Sequence, residues 1–396
     1  MKKISRFYSQ EKITVAFSIL LTVGFVSGLA AAQIRSNNSV FQPQPTHSIA
    51  PGSPVVHTAL GGFILGYDID QHGTEGVLSE AFTLPDGNAN VALETFDQRT
   101  GKILKVVKQI QDSKSDFVTF GIFGNSTALN EFEHVSQLYV DKRLYGVMNP
   151  LSANRITGKW TPPLHKDDII ASMGVNQTTT TTAVYAFENG GNFNSFVFST
   201  DVAANTFGQR ITLTDSNFDF NDSPAMAYDS ATNQAVLGGG NGCPNCSPVI
   251  GTVDLNTGEQ TTFTGLGFGF INGIAVDPET GIACTTTEID FSVEFYNLAT
   301  KTGIIVPIPG ATSQAQSGLD VQFDPIHKVF LVGQEFSSIA PSGSSIHVFA
   351  EDGTWLEGIN GLSLPASPAY MALQPSKRAG YVIVTPQLSS LQSFTY

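Results

Sequence analysis

An internal repeat in the second half of the chain limits the fold more than any other feature of the sequence. Four short apolar segments, each ending in Asp or Gln, occupy residues 225–229, 273–277, 320–324 and 370–374. Their last residues lie 48, 47 and 50 positions apart. A near-constant interval of this length is typical of a chain in which one supersecondary unit is stacked several times.

Each repeat has the same internal order of predicted strands. A second strand follows each segment, at 235–237, 282–287, 329–332 and 381–384. Three of the repeats continue with a third strand that ends in a Gly-containing turn, and Gly adopts the positive φ of such turns at little cost. A fourth strand completes the unit, as in residues 303–309. Four strands in 40 to 50 residues predict a β-propeller blade. The all-β alternative, two or three tandem sandwiches, does not require one turn pattern at one interval.

The length of the repeating region predicts the number of blades. From Gly61 to Tyr396 there are 336 residues, and 336 divided by 48 is seven. Six blades remain the alternative if residues 113–165 form one distorted blade with a long insertion. The last unit is one strand short, and residues 54–60 form a strand without a unit of its own. We therefore predict a single propeller at 54–396, in which the N-terminal strand is the outermost strand of the last blade and leaves no open edge at the junction.

The N-terminus has the pattern of a secretory signal peptide at residues 1–32. Basic residues precede an apolar run from Ile13 to Ala32, which closes on three alanines. An uncleaved membrane anchor is the alternative, because the run is long enough to span a bilayer. The Pro-, Ser- and Gln-rich residues 33–53 are predicted to be a flexible tether. We expect a secreted protein, extracellular or periplasmic, with no membrane span after signal removal.

Charge excludes several kinds of partner. The chain has 34 Asp and Glu against 20 Lys and Arg. Removing residues 1–32 takes away four basic residues and one acidic residue, which leaves 16 against 33 and a net charge of −17. Nucleic acid is therefore not expected as a partner, because phosphate binding needs clustered basic residues.

The repeats resemble a known group of propellers. The segment Gly273-Ile-Ala-Val-Asp277-Pro-Glu-Thr-Gly281, followed by a strand and an Asp/Asn-x-x-Thr-Gly turn, is similar to the repeats of the YVTN and NHL-like families. The resemblance covers residues 223–384 well and the first half of the chain only loosely. It implies a propeller fold. Members of these families serve as binding scaffolds or cell-surface proteins, and a lactonase branch consists of metal-dependent hydrolases.

Several polar residues are predicted to share one face of the ring. Glu288 and Glu335 each lie 11 residues after a repeat Asp, where the second strand ends. Asp222, Asn272 and Gln316 precede first strands and would lie on the same side. Their oxygens could line a channel mouth for a hard cation such as Ca²⁺. The alternative is that they are solvated loop residues, because no dense Ca²⁺ loop is present.

Asp320 lies within a predicted first strand, the strand nearest the central channel. The other repeats have Ala225, Gly273 and Tyr370 at this position. Its carboxylate could be a channel ligand or an acid/base group, together with Glu288 and Glu335 around a metal. The other interpretation is that backbone N–H groups cap the carboxylate.

The three cysteines fit an oxidising compartment. Cys243 and Cys246 form a C-x-x-C pair without a second pair or a nearby His, which favours a small structural disulfide over a redox or zinc site. Cys284 aligns with Val236 of the preceding repeat and is predicted to be a buried thiol.

Two functions follow from these patterns. The first is a non-catalytic, monomeric scaffold that binds a protein or glycan on its loop face. The second is a Ca²⁺-dependent, lactonase-like hydrolase with its site at the channel mouth. The sequence contains no catalytic motif such as Gly-x-Ser-x-Gly, and whether the protein is an enzyme stays open.

Overall fold

The structure, a computed structural model, describes a series of segments between residues 46 and 396. These segments are 46–48, 53–70, 74–83, 89–112, 127–130, 135–140, 143–148, 155–160, 169–175, 181–187, 194–201, 206–218, 225–240, 246–287, 290–311, 318–334, 346–360, 366–384 and 389–396. The predicted signal peptide lies outside them. In the described part of the chain, no helix is long and apolar enough to cross a membrane.

The described part of the chain is almost entirely β-structure. Two short strands come first, β1 (Thr46–Ser48) and β2 (Val55–His57). Sheet 1 contains β3 (Phe63–Ile69), β4 (Glu75–Thr83), β5 (Ala89–Asp97) and β6 (Ile103–Asp112). Sheet 2 contains β7 (Thr127–Asn130), β8 (Val135–Val140), β9 (Arg143–Met148) and β10 (Arg155–Trp160). Sheet 3 contains β11 (Ile169–Val175), β12 (Thr181–Phe187), β13 (Ser195–Asp201), β14 (Thr206–Phe207) and β15 (Ile211–Thr212).

The second half of the chain continues the same order. Sheet 4 contains β16 (Ala225–Asp229), β17 (Gln234–Gly239), β18 (Val249–Asp254) and β19 (Gln260–Thr264). Sheet 5 contains β20 (Ile271–Asp277), β21 (Ile282–Thr287), β22 (Ser292–Asn297) and β23 (Thr302–Pro307). Sheet 6 contains β24 (Gly318–Asp324), β25 (Val329–Gln334), β26 (Ile346–Ala350) and β27 (Trp355–Asn360). Sheet 7 contains β28 (Ala366–Gln374), β29 (Ala379–Val384) and β30 (Ser390–Thr395). Single 3₁₀ turns occur at Ser216–Phe218 and Pro375–Lys377.

The sheets are arranged in a ring. Consecutive strands pair antiparallel within each sheet, and the first strand of each sheet contacts the first strand of the next. These contacts run from β3 through β7, β11, β16, β20, β24 and β28, and β28 returns to β3. The predicted all-β propeller of four-stranded antiparallel blades is confirmed. Sheet 2 is described by its backbone pairing alone, whereas side chains are described in the other six sheets.

The N-terminal strand completes the last sheet, as predicted. β2 pairs antiparallel with β30, and Val56 lies opposite Leu391. Sheet 7 therefore combines strands from both ends of the propeller and acquires its fourth strand. β1, within the predicted tether, adds to the outside of sheet 6 by pairing parallel with β27.

The hydrophobic core is divided among the gaps between neighbouring sheets. One cluster, for example, joins Val56, Tyr67 and Phe96 to Tyr381 and Leu391, and so connects sheet 1 to sheet 7. Similar clusters lie between sheets 3 and 4, 4 and 5, 5 and 6, and 6 and 7. Because most strands are covered on both sides, little of the β-structure can carry charge.

The repeat Asp residues close the turns between first and second strands. Asp229, Asp277 and Asp324 end β16, β20 and β24, and their side chains are buried. Each accepts backbone hydrogen bonds from the turn that follows, as Asp324 Oδ1 does from Ile326 and His327 at 2.8 and 3.0 Å. The sequence motif is therefore a turn-capping motif, which explains its repetition.

Candidate functional site

Asn272 lies at a β-bulge in the first strand of sheet 5. The pairing of β20 with β21 shifts between Ile271 and Gly273, so Asn272 has no partner of its own. A bulge redirects the side chain of the extra residue. The Asn272 amide accordingly donates to the Gly318 carbonyl of β24 at 3.3 Å and links sheet 5 to sheet 6.

Asp320 makes the corresponding link between sheets 6 and 7. Its Oδ2 accepts the Met371 backbone N–H of β28 at 2.7 Å, and the Gln322 amide lies 3.1 and 3.2 Å from the two carboxyl oxygens. The side chain is buried, and burial raises the pKa of the Asp320 carboxyl to about 7 against the lowering effect of these hydrogen bonds. Backbone capping, one of the two interpretations of the sequence, is what the structure has.

Two of the six predicted ligand-binding residues are therefore described, and they lie on neighbouring first strands. Asn272 contacts Gly318, two residues before Asp320. The other four, Asp222, Glu288, Gln316 and Glu335, lie outside the described residues, so their convergence stays a prediction. In the part of the chain that the structure describes, no three His, Cys, Asp or Glu side chains form a group that could hold a metal.

Of the two predictions about cysteines, the structure tests only the one for Cys284. Cys284 is a free, fully buried thiol, as predicted, and burial raises its pKa well above the ordinary value. Cys243 lies outside the described residues, and its disulfide with Cys246 stays a prediction.

Sequence reasoning missed buried acids on the third strands. Glu94 of β5 and Glu294 of β22 are fully buried, and each lies three residues before the Asp or Asn that begins the next turn. Glu294 accepts a 2.7 Å hydrogen bond from the Thr285 hydroxyl, and burial raises its pKa well above the ordinary value. The shared position relative to Asp97 and Asn297 is visible in the sequence, but no local pattern indicates that these two acids are buried.

The turn face of the ring is a network of structural contacts. The Lys328 ammonium lies 3.3 Å from Asp277 and 2.5 Å from Glu279, and so joins the turn of sheet 6 to the turn of sheet 5. The Tyr396 hydroxyl donates to Asp324 Oδ2 at 2.8 Å and joins the end of sheet 7 to sheet 6. Both contacts link one blade to the next.

Comparison with known proteins supports the fold and does not name a family. No family model matches the sequence, and no curated protein matches it. Many chains of solved structures match, 974 in all, so the architecture is shared widely and does not identify a function. One of them belongs to the crystal structure of a mitotic checkpoint complex, with a TM-score of 0.56 and 13% sequence identity over 94% of this chain and 98% of that chain. At this identity the likeness shows the propeller fold alone. The YVTN and NHL-like resemblance stays a prediction.

Proposed function

We propose that this protein is a secreted binding scaffold that holds a protein or glycan on the face formed by the connections between second and third strands. We further infer that its ring has seven blades, with β7–β10 as one of them. The closed series of first-strand contacts supports this number.

The functional proposal rests on a difference in loop length between the two faces of the ring. Connections between first and second strands span four or five residues in every sheet. Connections between second and third strands range from two residues (141–142) to nine (240–248) and eleven (335–345). Ligand-binding residues concentrate on loops of variable length that a rigid framework positions, whereas uniform capped turns serve the framework itself.

A binding experiment with two matched variants tests the proposal. In the first variant, an Asn-Gly turn replaces residues 335–345, and in the second, Asn256→Lys and Glu259→Lys alter an exposed turn on the opposite face. The probes are a glycan array and an array of extracellular protein domains. We expect the wild type and the turn-face variant to bind the same probe and the loop variant to lose that binding. Binding that the loop variant keeps and the turn-face variant loses would contradict the proposal, as would no binding to either array.

A metal experiment separates the scaffold from the hydrolase alternative. A ligand that binds only the native state raises its melting temperature, so a Ca²⁺-dependent hydrolase should melt lower in EDTA and higher with added Ca²⁺. If the protein is a binding scaffold, we expect its melting temperature to stay the same in EDTA and in added Ca²⁺, and we expect no hydrolysis of a panel of lactones. A Ca²⁺-dependent increase in melting temperature together with lactone hydrolysis would contradict the scaffold proposal and favour the hydrolase.

Secretion has its own test. N-terminal sequencing of the protein from its natural source should give Gln33 as the first residue, whereas a mature protein beginning at Met1 would contradict cleavage.

A further inference from the structure

The segment that leads from the ring-closing strand into the first blade is held by two acidic side chains. Residues 58–62 pass from β2, in sheet 7, to β3, in sheet 1. The backbone N–H of Ala59 donates to Glu94 Oε2 at 3.1 Å, and that of Leu60 donates to Glu80 Oε2 at 3.0 Å. The N–H of Gly62 donates to Glu80 Oε1. Three backbone contacts within five residues therefore depend on two carboxyl groups. We call residues 58–62 the closing link.

The two carboxyl groups are completely buried. Glu80 of β4 and Glu94 of β5 both have an exposed fraction of 0%. Glu94 Oε1 is buried and accepts no hydrogen bond. Two buried carboxylates side by side are unfavourable, because each would lose its hydration and repel the other. A proton held by Glu94 removes the repulsion and leaves only one buried charge.

The strand neighbours of this pair are uncharged. The strand neighbours of Glu80 are Ile64 and Ala92, and those of Glu94 are Leu78 and Val106. Burial raises the pKa of Glu94 to about 8; the Ala59 N–H opposes this shift and the adjacent Glu80 adds to it.

Other titratable residues of β2 and of sheet 1 that the structure describes have the following contacts or strand partners. His57 of β2 hydrogen-bonds the Ser390 hydroxyl. Glu75, Asp97 and Asp70 interact with one another at the opposite end of sheet 1. Lys105 and Lys108 of β6 pair with Thr95 and Leu93, the residues on either side of Glu94 in β5. No basic group among the described residues lowers the pKa of Glu94.

We propose that Glu80 and Glu94 form a proton-dependent latch that fixes the closing link, so that the ring is closed firmly in acid and loosens at its N-terminal strand in alkali. When Glu94 loses its proton, the pair acquires a second buried negative charge. Releasing the closing link lets water reach both carboxylates. Strand β2 is then attached to the ring only through its contacts with sheet 7, chiefly its pairing with β30.

The direction of the pH effect follows from the raised pKa of Glu94. The unfolded chain releases this proton near pH 4.3 and the folded chain near pH 8. The stability that the protonated group contributes is fully present below the unfolded value and is lost as the pH rises through the folded one. Between these limits the folding equilibrium constant should fall by up to tenfold per pH unit from this group.

Hydrogen exchange of the full chain between pH 6 and 9 tests the latch. We expect the protection factors of residues 55–62, corrected for intrinsic exchange, to fall by up to tenfold per pH unit between pH 6 and 8 and to level off above pH 8. Those of β17, whose sheet contains no described acid with a raised pKa, should change much less. In Glu94→Gln, which keeps an acceptor for Ala59 and adds an amide donor toward Glu80, protection should not depend on pH. Glu259→Gln, an exposed control, should behave as the wild type.

The opposite results would overturn the latch. These are constant protection of residues 55–62 across the pH range in the wild type, or the full wild-type pH dependence in Glu94→Gln. If Glu94→Gln does not fold, Glu80→Gln provides the second variant. Removing the charge of Glu80 should move the midpoint of the transition to lower pH, and an unchanged midpoint would contradict the proposal.

Discussion

At the scale of single residues, the approach of neighbouring first strands leaves no space at Gly273. A Cβ atom at this position would lie 2.9 Å from the Cα of Asp320 and from the N of Val321, which are backbone atoms that cannot turn aside. We predict that Gly273→Ala lowers the free energy of unfolding by about 1–3 kcal/mol through overpacking. Urea unfolding measures the loss. Gly281→Asn is the control, since its position has a φ of +68° with no atom near a Cβ, and Asn tolerates that conformation.

Asp320 links sheets 6 and 7 through its hydrogen bond with Met371, and we predict that this link stabilises the fold. Asp320→Ala leaves the buried Met371 N–H without its acceptor and should lower the free energy of unfolding by about 1–3 kcal/mol. Asp320→Asn keeps an acceptor and should cost less.

The pH dependence at Asp320 gives an independent check. Because the pKa of this acid is raised to about 7, its protonated form stabilises the protein below about pH 4, and that contribution is lost as the pH rises to 7. Asp320→Asn should therefore show a shallower decline of stability between pH 4 and 7 than the wild type. Identical pH profiles would show that the carboxyl does not titrate as described.

The residues that sequence reasoning found and missed differ in what their position depends on. Asp229, Asp277 and Asp324 were found because a turn cap acts within a few residues of itself and therefore repeats with the chain. The contact of Asn272 depends on a β-bulge and on Gly318 of the next blade, 46 residues later in the chain. The residues around Asn272 predict neither feature. Glu80 and Glu94 lie in apolar strands where solvent exposure would be the default assumption for an acid. Both side chains hold the closing link, a contact between separate segments that the local sequence does not indicate.

At the scale of elements, the capped turns between first and second strands should differ in strength. Asp277 is fully buried, caps Glu279 and Thr280, and also pairs with Lys328 of the next blade. We predict that Asp277→Ala lowers the free energy of unfolding by about 1–2 kcal/mol, because a turn cap and a link between blades are lost together.

Asp254 provides the matched control for this prediction. It caps the turn between β18 and β19 through the N–H groups of Asn256 and Thr257 without a pairing to another blade. Asp254→Ala should cause a smaller loss in the same unfolding measurement. An equal loss at both positions would show that the contact between blades contributes nothing.

The strands themselves were predicted closely wherever the repeat was clear. β16 and β21 have the predicted bounds, and the predicted first and second strands of the last two sheets lie within β24, β25, β28 and β29. These strands are separated by turns that are stabilised by residues within the turn itself, so the sequence alone indicates where each strand ends. β1 was not predicted, because a three-residue parallel strand derives its stability from β27 and has no signal of its own.

At the scale of the whole molecule, the low charge content of the sequence follows from the ring. Only 14% of the residues are charged, and the core lies between sheets that are each covered on both sides. Charge is left to the turns and the rim, and burial raises the pKa of acids that do enter the sheets, such as Glu94 and Glu294.

The N-terminal strand β2 closes the ring, and its removal should therefore destabilise the whole molecule. The measurement is the melting temperature, by differential scanning calorimetry, of the protein with and without residues 54–60. We predict a large decrease in melting temperature, because sheet 7 loses its outer strand, Val56 leaves the cluster between sheets 1 and 7, and Glu94 and Glu80 lose the hydrogen bonds from Ala59 and Leu60. An unchanged melting temperature in the shortened protein would contradict it.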